Sequence, residues 1–114
     1  MLTIETMREY GADVEEGLSR CMGNEGFYIK LVNMAVSDDG YSRLEDALNR
    51  GDLDKAFETA HSLKGMLGNL SITPLYRPVA ELTELLRSKE NADYQEYLRI
   101  ILEKHDELTE LAAS

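Results

Sequence analysis

A chain of 114 residues suits one domain and can bury a modest core without disulfide or metal staples. Its formal net charge of -10, with 30% charged residues and no basic stripe, argues against DNA, RNA or an anionic membrane surface as the main partner. The single cysteine, Cys21, cannot close an intramolecular disulfide, no apolar run approaches the roughly 20 residues of a membrane span, and residues 1–5 lack the basic head and long apolar stretch of a secretory signal.

No stretch alternates with period two, so the chain reads as helix throughout, with short breaks. Asp13, with Glu16 three places on, opens a short helix over about 13–22 with a capping-box start, and Gly23-Asn24 breaks it. Asn24 caps the next helix, about 24–38, whose apolar positions Phe27, Tyr28, Leu31, Val32, Ala35 and Val36 run to the turn Asp38-Asp39-Gly40. Tyr41, Leu44, Ala47 and Leu48 form the face of a helix over about 40–50 that ends at Gly51, and Asp52 caps a long helix over about 52–70. Thr73-Pro74 reads as an N-cap followed by proline in the first helical position, but Pro78 removes a backbone donor, so this helix starts either there or near 78, giving 74–89 or 78–89. Asn91-Ala92-Asp93 opens the last helix, about 93–112, with Tyr94, Leu98, Ile101, Leu108 and Ala112 along one side. Connections this short favour antiparallel neighbours. The expected fold is all-α, an antiparallel up-down four-helix bundle with a short N-terminal helical extension, forming a single domain over residues 1–114. Phe27, Tyr28, Met34 and Phe57 are expected in the core or at its edge.

The most informative residues lie in the long helix, at Ala60-His61-Ser62-Leu63-Lys64-Gly65-Met66-Leu67-Gly68. At about 100° per residue, with His61 set at zero, Leu53, Ala56, Ala60, Leu63, Leu67 and Leu70 fall in one stripe between roughly 180° and 280°. His61 lies about 130° from its middle, so the ring faces outward, with Glu58, Lys64, Gly65 and Gly68 around it and Phe57 alongside. Each glycine costs a helix interior about 1 kcal/mol relative to alanine. Both fall on the histidine's face, which implies a face kept bare for the close approach of another molecule. Neutral imidazole is a competent nucleophile near neutral pH, and Lys64, one turn away, can bring its ammonium to phosphoryl oxygens.

This segment resembles the active-site helix of the histidine-containing phosphotransfer (HPt) domain, whose motif Ala-His-x-Leu-Lys-Gly with a second glycine three residues on is met by Ala60, His61, Leu63, Lys64, Gly65 and Gly68. The resemblance implies a phosphohistidine carrier of a two-component His-Asp phosphorelay. His61 would be the phosphoacceptor, taking a phosphoryl group from a receiver-domain aspartate and passing it to another receiver, and Lys64 would stabilise the phosphate. It implies response-regulator receivers and a hybrid sensor histidine kinase as partners, a docking surface around Phe57, Glu58, Gly65 and Gly68, and a monomer. Two positions depart from the family pattern. Ser71 stands where many members have a third glycine, and Thr83 stands where many have a glutamine that reaches the active ring; Thr83 is expected to substitute through its hydroxyl and to join the docking surface.

No nucleotide-binding loop and no metal-ligand cluster is evident, so the chain is expected to be a stoichiometric carrier and not an enzyme, binding no cofactor itself, with Mg²⁺ supplied by the partner receiver. Glu58 and His61 have the Glu-x-x-His spacing of di-iron bundles, but there is no second copy. His105 falls on the apolar stripe of the last helix, with Leu108 where a lysine would be needed, and reads as a packed structural residue. Cys21 reads as a small packing residue of a reduced, cytoplasmic protein. The starting Met1 and the lack of linkers favour a free module over a fragment of a larger sensor. The competing reading is a helical adaptor that binds a receiver or another signalling protein through the same face without being phosphorylated.

Overall fold

The computed structural model describes all residues 1–114 and holds seven helices and no strand. In chain order they are α1 (Ile4–Tyr10), α2 (Val14–Arg20), α3 (Glu25–Val36), α4 (Gly40–Asn49), α5 (Leu53–Asn69), α6 (Thr73–Ser88) and α7 (Tyr94–Ala113). Helices α4 to α7 close a ring: α4 packs on α5, α5 on α6, α6 on α7, and α7 back on α4. Because each link is a turn of a few residues between packed neighbours, the four alternate in direction, giving an antiparallel four-helix bundle. The molecule measures 41 × 26 × 19 Å.

The buried stripe of α5 is Ala56, Ala60, Leu63 and Leu67, and it meets Leu44 and Leu48 of α4, Leu75, Val79, Leu82 and Leu86 of α6, and Leu98, Ile101 and Leu108 of α7. Apolar burial of this kind stabilises by about 25 cal/mol per Å² removed from water. Sequence caps set the helix starts. The side chains of Asn24, Asp52 and Asp93 accept hydrogen bonds from the backbone N–H of Phe27, Lys55 and Glu96 respectively.

Several expectations are corrected. Helix α1 was not anticipated; Thr3 and Thr6 form a reciprocal cap at its start, and Met7 anchors it in the core. Asp13 caps α2 through Glu16 N–H, but the Glu16 carboxylate turns to Arg20 and Ser71 instead of completing a box. Thr73 is not the N-cap of α6, because Ile72 holds that position without a side-chain bond. The helix runs unbroken through Pro78, where burial of Leu75, Val79 and Leu82 on either side outweighs the one backbone bond that proline cannot make. Helix α3 lies outside the ring, touching α2 and α7 through Tyr28, Val32 and Ala35, so Phe27 and Met34 on its other sides are exposed and not core.

The N-terminal helices are held against the bundle at the α5–α6 junction. Gly17 makes the contact possible, since a Cβ there would come within 2.5 Å of the Tyr28 ring and 2.8 Å of the Leu70 carbonyl oxygen. The Tyr28 hydroxyl donates to the Leu70 carbonyl at 2.8 Å, and Asp13 N–H donates to the Ser71 carbonyl at 2.9 Å. Burial, then the nearby Cys21 and Asp13, pushes the Tyr28 hydroxyl up to about 12, so it remains a donor at all physiological pH.

Candidate functional site

His61 sits near the middle of α5, on its exposed face, with the buried residues Ala60 and Leu63 securing that orientation. Neither ring nitrogen makes a hydrogen bond to another protein group, whereas the other imidazole, His105, has its Nε2 2.8 Å from the Val36 carbonyl oxygen. The ring is flanked on one side by Phe57, one turn earlier, at 5.7 Å between centroids and tilted by 45°. On the other side begins a groove of about 610 Å³ that also takes in Lys64, Gly65 and Gly68.

The walls of that groove come from three helices. Helix α5 forms the floor, α6 contributes Tyr76 and Arg77, and α2 contributes Glu16 and Arg20. Arg20 is a tether: it donates to the Gly68 carbonyl at 3.0 Å and the Ser71 hydroxyl at 2.6 Å, and pairs with Glu16 at 2.7 Å. A guanidinium at the C-terminus of α5 meets the negative end of the helix dipole and its unpaired carbonyls. The Glu16 carboxyl is held below the usual carboxylate range by its hydrogen bonds from Arg20 first and then from Ser71.

Ser71 explains one departure from the family pattern. Its φ is +53°, in the left-handed region where glycine is favoured, just beyond the end of α5. Serine accepts that conformation here and uses its hydroxyl, which a glycine lacks, to link Glu16 and Arg20.

The two glycines on the histidine's face differ. A Cβ on Gly65 would meet nothing within 4 Å, so this position is bare toward solvent. A Cβ on Gly68 would lie 3.1 Å from Tyr76 Cε1, so the missing side chain makes room for this chain's own ring as well as lining the groove, which corrects the reading of Gly68 as cleared only for a partner. Glu58 is exposed one turn before His61, and Phe57 is half-buried beneath the Arg87 guanidinium, which lies 5.0 Å from its ring centre.

Thr83 is also corrected. It is wholly buried, and its hydroxyl donates to the Val79 carbonyl at 2.7 Å within its own helix, so it offers a partner no surface and lacks a free donor for the active ring. Its neighbour Glu84 points to the site instead, with a carboxylate oxygen 3.5 Å from Lys64 Nζ. Sequence reasoning missed Glu84, Arg87 and Arg20. The Glu84–Arg87 pair had a visible signal in its i, i+3 spacing on an exposed helix face; Arg20 had a local one only for Glu16, at i, i+4, and none for its bonds to Gly68 and Ser71, about fifty residues away.

His, Cys, Asp and Glu side chains nowhere gather in threes around a point that could hold a metal ion, and no helix is long and apolar enough to cross a membrane.

Residues 35–114, from the end of α3 through the whole ring that carries His61, match the family model of the Hpt domain. The chain belongs to the Hpt domain family. No curated protein and no solved structure gives a significant match. Hpt domains are phosphocarriers of histidine phosphotransfer in phosphorelays and interact there with receiver domains and kinases. Helices α1 and α2, with most of α3, lie outside the span matched to the Hpt domain, yet α2 supplies one wall of the groove beside His61.

Proposed function

We propose that His61 is the phosphoacceptor and that the chain passes a phosphoryl group between receiver-domain aspartates. The observation that carries this reading is an exposed imidazole with both nitrogens unengaged and a cation one helical turn away on the same face. A lone pair on one nitrogen of the neutral ring attacks the phosphorus of an aspartyl phosphate. As the N–P bond forms, the P–O bond to the aspartyl carboxylate breaks and its electron pair leaves with that carboxylate, while the ring keeps its proton on the other nitrogen. Return to a second receiver is the reverse of these steps.

The transition state for such a transfer is loose, with charge on the equatorial oxygens, so alignment and electrostatics carry most of the catalysis. Lys64 meets those oxygens, and bare Gly65 lets the partner's phosphorylated loop approach the helix. The partner receiver is expected to bring the Mg²⁺. Phe57 and Glu58 form the rim of the docking surface.

The test is transfer of labelled phosphate from a panel of phosphorylated receiver domains, with Mg²⁺, to the wild-type chain and to His61→Gln. Acid-labile label on the wild type alone is the expected result. Label retained in full by His61→Gln would falsify the assignment, and binding of a receiver by both proteins without any label would point to the unphosphorylated adaptor.

A further inference from the structure

Lys64 does not lie free beside His61. Its ammonium is 3.5 Å from Glu84 Oε1, and the other Glu84 oxygen is 3.1 Å from Arg87 Nε. Arg87 in turn covers the ring of Phe57, which abuts His61. One carboxylate therefore serves two cations, in an arc that begins and ends at the active ring.

A phosphoryl group on His61 and the Glu84 carboxylate are two anions within reach of one flexible ammonium. A lysine head on a four-carbon stem can move from one to the other. Exposed pairs of this kind are weak, so the exchange is easy, but the competition is not zero. Arg87 makes the exchange easier still, because Glu84 keeps one cation when Lys64 leaves. Desolvation raises the Glu84 carboxyl, but Arg87 and then Lys64 outweigh it and hold the group below the usual carboxylate range, so it is charged whenever phosphotransfer takes place.

We propose that Glu84 is a positioning residue that holds Lys64 in reserve and competes with the phosphoryl group for it, thereby setting how far the phosphoryl equilibrium lies toward His61 and away from the receiver. The inference rests on His61 being the phosphoacceptor and adds to it a residue of α6 outside the motif. Weakening the competitor favours the phosphohistidine, and strengthening it favours release to the receiver.

Glu84→Gln in the full chain, with folding checked by circular dichroism, tests this by two readouts. The first is the mobility of the Lys64 ammonium by ¹⁵N relaxation in the unphosphorylated protein, which is expected to rise. The second is the equilibrium ratio of phospho-His61 to phosphorylated receiver, expected to rise about two- to fivefold, the range an exposed pair supports. In a Lys64→Ala background the same substitution is expected to leave the ratio unchanged, because Glu84 acts through Lys64. Unchanged Lys64 mobility, an unchanged ratio, or an equal shift in the Lys64→Ala background would each overturn the inference. If the wild-type chain takes no label from any receiver, the phosphoacceptor reading falls and this inference with it. A labelled wild type with an unmoved Glu84→Gln ratio removes this inference alone.

Discussion

The chain has two histidines, and the structure treats them in opposite ways. His61 on α5 is exposed, with both ring nitrogens unengaged and Lys64 one turn away. His105 on α7 is half-buried, stacks on Tyr41 with ring centres 3.8 Å apart, and has its Nε2 2.8 Å from the Val36 carbonyl at the end of α3. The second ring fastens α3 and α4 to α7. Its Nε2–H is committed as a donor to that carbonyl and its face to Tyr41, and α7 has Leu108 where α5 has Lys64. Residue type alone therefore says little about reactivity. What separates a candidate nucleophile from a packing residue here is whether the fold has already engaged the ring, by stacking, burial and a hydrogen bond at one nitrogen, or has left it open to solvent.

The largest effect that tests this contrast is His61→Gln, expected to remove all acid-labile label while leaving the melting temperature nearly unchanged. His105→Ala should do the reverse. Losing the stack and the bond to Val36 is expected to cost about 1–3 kcal/mol of stability in denaturant unfolding, with phosphotransfer at wild-type level. Label lost in His105→Ala at temperatures where it is folded would break the comparison.

A finer contrast lies between the two glycines. Gly65→Ala should stabilise the helix by up to about 1 kcal/mol, because a methyl group there meets nothing. Gly68→Ala should gain less or lose stability, since the Tyr76 ring must give way by a few tenths of an ångström. Equal gains in the two melting curves would mean that Tyr76 does not constrain Gly68. On the His105 side, the Tyr41 hydroxyl is buried without a hydrogen-bond partner. Tyr41→Phe keeps the stack and should raise stability by about 1 kcal/mol.

The smallest effect concerns pH. Because the Glu16 carboxyl is depressed in the folded state by Arg20 and then Ser71, its contribution is present above the unfolded carboxylate value of about 4.3 and is lost as pH falls through the folded value. The melting-temperature gap between wild type and Glu16→Gln should therefore be present near neutrality and close in acid. A gap that does not narrow at all as pH is lowered from neutrality into acid would show that Glu16 acts through something other than its charge.

Much of the fold was legible because it rests on local rules. The stripe Ala56, Ala60, Leu63, Leu67 follows from helical periodicity, and the caps at Asn24, Asp52 and Asp93 follow from side chains that bind N–H groups three residues on. The opposite outcomes at Phe27 and Tyr28 show where such rules stop. Both are apolar neighbours at the start of one helix, and only the packing of α3 on α2 and α7 buries one and exposes the other.

The candidate site divides in the same way. His61, Lys64 and Gly65 share a face by helix geometry alone, so the sequence by itself determined that an imidazole, a cation and a bare backbone stand together. Tertiary structure decided the rest. Long-range contacts placed Tyr76 over Gly68, turned Thr83 inward, set Glu84 against Lys64 and brought Arg20 from α2 to the end of α5. Spacing within a helix is periodic and can be counted along the chain. Which face of a neighbouring helix it meets depends on how the whole core closes, and no local count contains that information.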